Sequence, residues 1–298
     1  MTRFINPFTD IGFKIIFGSE MNKDVLIEFL NALLEGEYVI EDLQFLDKES
    51  NSGNINDRVI IYDLFCKTST DEYIIVEMQN AWHNNFLDRT LYYVCRSIAK
   101  QQVKTTEHYG DSYEISSVYG IFLMNFREKK LPYKFRTDTV VADRDTGQII
   151  NQHFRQIYLQ FPLFKKELSE CETLFDKFMH TLKHIDTWDR MPAALKEQVF
   201  NRLAELAERA NLSEADQIAY DKAVDSYRVS SRVVQDHYEL GLEEGIAKGK
   251  EEGKAEGKAE GMAEGKRLMA QRMKKMGIDL QTIIACSGLS KEEIESLE

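Results

Sequence analysis

The stretch YDLFCKTSTDEYIIVEMQ, residues 62–79, places two acidic side chains inside segments made of strand-forming residues. Asp63 follows the run VIIY and Glu77 follows the run YIIV, and a short polar run separates the two segments. This pattern is typical of a β-hairpin. If the loop is centred on Thr70, Asp63 directly faces Glu77, and Ile61 faces Gln79.

The two acids then share one face of the hairpin, and like charges opposed across neighbouring strands are destabilising. Three arrangements can compensate: a proton shared by the acids, a divalent cation held by both, or an exposed edge where water screens both charges. Carboxylate oxygens suit Mg²⁺ or Mn²⁺, and the apolar flanks argue against the exposed edge. The other face carries only apolar residues, namely Ile60, Tyr62, Leu64, Cys66, Ile74, Val76 and Met78.

The order of predicted elements indicates an α/β fold with a mixed sheet. Apolar residues with helical spacing predict a first helix, capped by Asn22 and ended by Gly36. The further elements predicted are strands at 43–45, 58–67 and 73–79, a helix at 86–103, a strand at 117–125 and a hairpin at 139–161 that turns at 145–147.

Composition divides the chain into four parts. Strand-forming residues give way to Ala, Leu, Glu and Lys after residue 165. We therefore predict a mixed-sheet core over 1–165, followed by an all-helical C-terminal extension. The extension has three parts: a helical annex over 166–240, a Gly-rich repeat over 241–268 and a helical hairpin over 269–298. The hairpin fits either a DNA-reading helix-turn-helix or two helices that only pack together.

Seven glycines fall at every fourth residue from Gly241 to Gly265, between rows of Glu and Lys with the same spacing. Each glycine destabilises a helix by about 1 kcal/mol relative to alanine, so an isolated helix here is marginal. A partner helix can approach such a row of glycines closely. The repeat therefore predicts a homo-oligomer held by a helical stalk, with a flexible charged linker as the alternative.

The formal charge of −12 describes the average surface and does not exclude a polyanionic partner, because binding depends on local patches. Basic residues concentrate between 87 and 104 and again between 127 and 136. These stretches are either a phosphate-binding track or solvated faces. Four dispersed cysteines, no basic-apolar leader and no long apolar run predict a soluble cytoplasmic protein that does not bind membranes.

Three motifs resemble those of the recombination-promoting nucleases, a family of PD-(D/E)XK transposases. They are TDIGFKIIFG at residues 9–18, EMQN at 77–80 and FLDRTLYY at 86–93. Asp63, a hairpin, and Glu77 two residues before Gln79 also resemble the general signature of an acid in one strand and acid-x-Lys in the next. The resemblance covers most of residues 1–165, and the Gly-rich repeat and final hairpin look like that family's tail.

The resemblance implies a restriction-endonuclease-like core that cuts DNA with Mg²⁺. Asp63 and Glu77 would hold the metal, and the backbone carbonyl of Met78 would complete its shell. Gln79 stands where the general pattern has Lys, and Gln can orient a water molecule but brings no positive charge. The resembled family itself tends to carry Gln at this position.

Other residues are weaker candidates for the same site. Glu28, beside the apolar stripe of the first helix, can supply a third catalytic carboxylate or be solvated. Asp10 and Lys14 are one helical turn apart, so they can pair with each other or reach the site. The residues expected to contact DNA are Arg89, Arg96, Lys100 and Lys14. The alternative functions are a nuclease-derived DNA-binding protein that does not cut, or an oligomeric interaction protein.

Overall fold

The computed structural model describes residues 2–37, 39–47, 49–50, 60–101 and 115–297. The chain forms two compact units, Met1–Ser231 and Arg232–Glu298. The helices are α1 (Asp10–Phe17), α2 (Lys23–Leu33), α3 (Phe86–Ala99), α4 (Leu174–His184), α5 (Gln198–Ala207), α6 (Glu214–Lys275), α7 (Leu280–Ser287) and α8 (Lys291–Glu295). The strands are β1 (Leu43–Phe45), β2 (Glu49–Ser50), β3 (Ile60–Ile61), β4 (Leu64–Thr68), β5 (Tyr73–Gln79), β6 (Val118–Met124), β7 (Arg136–Ala142) and β8 (Ile149–Gln160).

The first unit is built on a six-stranded mixed sheet with the order β1-β4-β5-β6-β8-β7. Strands β5, β6 and β8 run parallel to one another, while β1, β4 and β7 pair antiparallel to their neighbours. The short strands β2 and β3 form a separate pair. The carboxyl ends of β5, β6 and β8 therefore meet at one edge of the sheet, which is where open α/β sheets bind ligands.

Helices cover both faces of this sheet, because alternate strand residues point to opposite sides. Ile74, Val76 and Met78 of β5 pack in one apolar cluster with α1, α2, α4 and α5. Ile75 of the same strand packs on the other face, in a cluster with Phe86 of α3. The sheet thus lies between two helical layers, and the predicted α/β class with a mixed sheet is confirmed.

The first two helices begin and end where local chemistry requires. The Thr9 hydroxyl caps α1 by accepting the Gly12 N–H at 3.0 Å. Gly12 is required there, since a Cβ would lie 2.1 Å from the Asn6 carbonyl oxygen. Asn22 precedes α2 as predicted, but its amide donates to the Ile15 carbonyl at 2.8 Å instead of capping the helix.

The predicted hairpin register is confirmed over the paired residues. Leu64 lies opposite Val76 and Lys67 opposite Tyr73, which centres the turn on Thr70. The predicted strand at 58–67 is wrong in part: it is interrupted at 62–63, and residues 58–59 lie outside the described residues.

The interruption changes the neighbours of the residues that precede it. Ile61 pairs with Glu49 instead of facing Gln79. Tyr62 was predicted on the face with Leu64, but it packs in the α3 cluster, where its ring lies 5.4 Å from the Tyr93 ring. The predicted helix at 86–103 ends at Ala99, and residues 102–103 lie outside the described residues.

The apolar core of the first unit continues beyond residue 165. Phe178 of α4 and Phe200 of α5 are fully buried in the cluster that contains α1, α2 and one face of the sheet. Phe178 lies 5.8 Å from Phe29 of α2, measured between ring centroids. The helices of the annex therefore complete the packing of the sheet, and the three predicted domain boundaries remain predictions.

In the second unit, α7 and α8 pack against the end of α6 around Ala270, Ile283 and Ile294. Gly288 ends α7 with a φ of 67°, and Ser290 and Glu293 form the predicted capping box of α8. The Gly-rich repeat lies within α6 and is helical, with an ion pair of 3.8 Å between Lys248 and Glu252. Within the described ranges, none of the helices has the length and hydropathy that a membrane span requires.

Candidate active site

The site is formed where β4 and β5 stop pairing. Their ladder ends with Leu64 opposite Val76, so Asp63 and Glu77 lie just beyond the last paired residues. Glu77 and Gln79 alternate with Met78 along β5, and Gln79 is the last residue of the strand. The two predicted acids are therefore adjacent at the sheet edge where the parallel strands end.

The acids are held by hydrogen bonds that cross between the two strands. The backbone N–H of Asp63 donates to Oε1 of Glu77 at 3.0 Å. The backbone N–H of Met78 donates to Oδ2 of Asp63 at 2.9 Å. Each carboxyl group thus accepts a peptide N–H from the opposite strand, which replaces the missing ladder bonds and fixes both side chains.

Glu77 is buried, with 3% of its surface exposed, whereas the Asp63 side chain is 18% exposed. Burial first, and then the charge of Asp63, raise the pKa of Glu77 to about 8. The Asp63 N–H, the Arg89 charge and the Gln79 amide oppose this rise. The water-screened alternative does not fit a carboxyl group this deeply buried, and in the metal-free protein Glu77 is protonated at neutral pH.

Gln79 connects the acid pair to helix α3. Its Nε2 donates to Oε2 of Glu77 at 3.3 Å, and its Oε1 accepts a hydrogen bond from Nη2 of Arg89. The Arg89 guanidinium also lies over the Phe86 and Tyr93 rings, 6.0 and 5.8 Å from their centroids. Gln79 therefore holds a cation from α3 next to the acids.

A second cation approaches from α1. Nζ of Lys14 lies 2.9 Å from Oδ1 of Asp10 and 4.0 Å from Oδ1 of Asp63. Both contacts expected from the spacing of Asp10 and Lys14 are therefore present. Lys14 and Arg89 come from helices in different layers: Lys14 lies next to Asp63, and Arg89 is linked to Glu77 through Gln79.

The remaining predicted residues lie away from these contacts. Glu28 is exposed on α2 and forms no hydrogen bond or ion pair with the described residues. Arg96 is partly exposed and Lys100 is exposed on α3, and neither forms an ion pair with the part of the chain that the structure describes. With 100° per residue, Arg89, Arg96 and Lys100 fall within about 40° around the helix axis. They form one basic row that begins at the site, and their roles in binding stay predictions.

The donors present fit a hard divalent cation. No group of three or more His, Cys, Asp or Glu residues arranged to hold a metal occurs among the described residues. The two acids must therefore be supplemented by backbone and water oxygens, which Mg²⁺ accepts readily. The N–H of Met78 donates to Asp63, so it points to the side of β5 where β4 no longer pairs. The N–H and C=O of one strand residue point to the same side, so the Met78 carbonyl oxygen is directed to the acid pair as well.

A mixed sheet between helical layers, with an acid pair at the end of its central hairpin, defines an α/β protein of the restriction-endonuclease-like class. A family model described as PD-(D/E)XK nuclease family transposase matches residues 7–236, and the chain belongs to this family. This confirms the family predicted from the motifs, and it supports a nuclease-related, transposase-like function. Comparison with curated proteins and with solved structures gave no match.

The raised pKa of Glu77 predicts a pH-dependent stability in EDTA. The folded protein retains a proton that the unfolded chain releases near the ordinary pKa of 4.5. The associated stabilisation is complete below that pH and is lost as pH rises towards about 8. Between about pH 5 and about pH 8, wild type should lose on the order of 4 kcal/mol of unfolding free energy relative to Glu77→Gln.

Denaturant titrations followed by tryptophan fluorescence measure this difference, because both tryptophans, Trp82 and Trp188, lie in the first unit. Glu41→Gln, which replaces an exposed acid, should behave as wild type. Parallel pH profiles for wild type and Glu77→Gln would show that Glu77 is not a buried, protonated acid.

Proposed function

We propose that this chain is a metal-dependent endonuclease that hydrolyses DNA phosphodiester bonds. The observation that carries the proposal is a buried Glu77 carboxyl group beside Asp63, with one cation on each side. Two neighbouring carboxylates, one of them buried, destabilise the folded protein unless a counterion is bound. Burial favours a protonated Glu77, and a divalent cation would replace that proton. Membership of a nuclease family supports the same reaction class.

Asp63, Glu77 and the carbonyl oxygen of Met78 are the proposed ligands of Mg²⁺ or Mn²⁺. The bound cation would lower the pKa of a water molecule and stabilise negative charge on the phosphodiester. The hydrogen bonds from Asp63 N–H and Met78 N–H keep both carboxyl groups in place before the ion binds. This preorganisation is what electrostatic catalysis requires.

The positive charge that Lys would bring at position 79 is proposed to come from Arg89 and Lys14. The Gln79 side chain is engaged at both ends, by Glu77 and by Arg89. Its role is then to position the Arg89 guanidinium, which can contact two phosphate oxygens at once. Lys14 supplies a second charge near Asp63, and displacement of its ammonium by the metal would free it for the DNA.

The basic row on α3 is proposed to bind the phosphate backbone next to the cleaved bond. Arg89, Arg96 and Lys100 extend over about 17 Å along the helix, starting from the site. Glu28 is retained as a proposed accessory acid on α2. A role in recombination or transposition and a cytoplasmic location also remain proposals, as do DNA binding without cleavage and a pure interaction role.

Cleavage of supercoiled plasmid tests the central proposal. Wild-type protein should nick or linearise the plasmid with Mg²⁺ or Mn²⁺ and not with EDTA. Asp63→Asn and Glu77→Gln preserve side-chain shape and should each lower the rate at least about a hundredfold, as loss of one electrostatic group in an active site does. The exposed-acid variant Glu41→Gln is the matched control, with an unchanged rate.

Cleavage that persists in both acid variants would mean that a contaminant or another site performs it. DNA binding by the wild type without any cleavage would favour the non-cutting alternative.

The basic row makes a separate prediction about binding. Arg96→Ala and Lys100→Ala should each weaken duplex binding and reduce the slope of log affinity against log salt by about one. Arg89→Ala should in addition lower the cleavage rate at saturating DNA, because Arg89 contacts Gln79 beside the acids. Fluorescence anisotropy at several salt concentrations, with EDTA present, measures the slopes. Unchanged slopes for all three variants would show that α3 is not part of the DNA-binding surface.

We also propose that the Gly-rich repeat pairs with the same segment of a second copy. A Cβ built on each glycine from Gly245 to Gly265 would meet no atom within 4 Å, so a second helix has room to approach that row. The flanking rows of Lys and Glu provide opposite charges for such a pair.

Light scattering of the full-length protein tests this pairing. The double variant Gly253→Leu/Gly257→Leu should lower the oligomer mass, because two large side chains then block close approach. The double variant Ala255→Leu/Ala259→Leu changes the opposite face, about 200° round the helix axis on average, and should leave the mass unchanged. A monomeric wild type, or equal masses for both double variants, would contradict the proposal.

A further inference from the structure

Trp82 lies in the loop between β5 and α3, three residues after Gln79. Three residues of chain span at most about 11 Å, so Trp82 is close to the proposed site. Its side chain is exposed to 47%, which is unusual for the largest apolar side chain of a folded protein. An exposed tryptophan beside the proposed DNA-cleavage site suggests that its ring contacts a ligand.

The indole ring is held at its edge by a buried acid. Nε1 of Trp82 donates to Oε2 of Glu128 at 2.9 Å, and the backbone N–H of Lys130 donates to Oε1 of the same carboxylate at 3.0 Å. Glu128 is only 5% exposed. A buried carboxylate such as Glu128 requires hydrogen-bond donors. Its bond to Nε1 fixes the orientation of the Trp82 ring, while the ring itself stays partly exposed to solvent.

The loop that carries Glu128 is itself fixed by Gln160, a fully buried residue at the end of β8. Oε1 of Gln160 accepts the Glu128 N–H at 3.0 Å. Nε2 of Gln160 donates to the carbonyls of Pro132 and Lys134 at 3.2 and 3.0 Å. Trp82 therefore rests on a loop anchored near both of its ends.

Apart from Pro132, the exposed side chains of this loop are basic or aromatic. Glu128 is the single acid between residues 127 and 136, and it points inward to Trp82. Tyr133 is 73% exposed, and the Arg127 guanidinium lies 4.6 Å from its ring centroid. Four exposed cations form no ion pair with any described residue: Arg127, Lys129, Lys130 and Lys134.

We propose that Trp82 and the 127–134 loop bind a single-stranded or locally unpaired segment of DNA next to the site. An unstacked base would lie against the Trp82 ring, and the cations of the loop would contact the neighbouring phosphates. This combination of a stacking ring and a basic track is what binding of single strands requires. Bases of an intact duplex are already stacked on each other, so the surface distinguishes the two forms of DNA.

The proposal rests on the proposed function in taking DNA as the ligand, but it does not require cleavage. A protein partner fits this surface less well, because an apolar partner would have to bury four cations that have no counterions. Phosphates supply those counterions directly. The proposed substrate class is therefore DNA with unpaired bases beside the bond that is cut.

Tryptophan fluorescence tests the stacking contact directly in the full-length protein. Trp188→Phe removes the other tryptophan, so the remaining emission comes from Trp82. With EDTA present, oligothymidine of about 20 nucleotides should quench this emission, as expected for stacking on bases. An abasic strand of the same length and a blunt duplex should quench it little, although both carry the same phosphates.

Affinity measurements extend the test to substitutions. Trp82→Ala should weaken oligothymidine binding about tenfold, the size of one lost base stack, while duplex affinity stays within about twofold. Trp82→Phe should fall between wild type and Trp82→Ala, since it keeps a ring but loses the bond to Glu128. Trp188→Phe is the matched control with wild-type affinity, and circular dichroism establishes that each variant is folded.

Equal loss of affinity for oligothymidine, abasic strand and duplex in Trp82→Ala would overturn the proposal, as would equal quenching by all three. Failure of the endonuclease proposal gives a different result: no plasmid cleavage, with selective quenching by oligothymidine intact. Glu41→Gln, the exposed-acid control, should leave both the quenching and the cleavage rate unchanged.

Discussion

The Glu77 carboxyl group accepts the Asp63 N–H and the Asp63 carboxyl group accepts the Met78 N–H, and these two bonds replace the backbone bonds beyond the end of the β4–β5 ladder. A carboxyl group that accepts a peptide N–H is placed as firmly as a strand residue, but it is ionisable, whereas the carbonyl of a ladder is not. Polar and basic residues surround the pair. Gln79 donates to Glu77, Arg89 binds Gln79, and Lys14 lies near Asp63.

The two acids differ in burial. Asp63 keeps part of its surface in solvent, whereas Glu77 is enclosed, and the environment raises the pKa of Glu77 to about 8. In the proposed metal site, a divalent cation would replace this proton while the two carboxyl groups keep their positions. The overall charge of −12 hides this local pattern, because the basic residues of α3 and of the 127–134 loop lie around the site.

The register of the hairpin followed from the sequence because an odd-length turn puts both acids on one face and leaves the other face without a charge. That argument assumes a continuous strand, and it failed at Tyr62, where packing against Phe65 and Tyr93 turns the chain. The bond between Trp82 and Glu128 joins residues 46 positions apart, so no spacing rule predicts it. The bond between Arg89 and Gln79 depends on how the connection from β5 orients α3, which the sequence pattern does not specify. For the Gly-rich repeat, composition was compatible with either a helix or a flexible linker, and the structure shows a helix.

The turn from Thr68 to Glu72 connects β4 and β5, so it determines whether Asp63 and Glu77 lie side by side. Asp71 adopts a φ of 72°, and the Thr68 N–H donates to the Glu72 carbonyl at 2.9 Å, which closes the loop. The left-handed conformation of Asp71 favours Gly, Asn or Asp at that position, which restricts the composition of the turn. Its length is restricted as well, since a register shift of one residue would exchange the two faces of β5 and could bring Met78 to the place of Glu77.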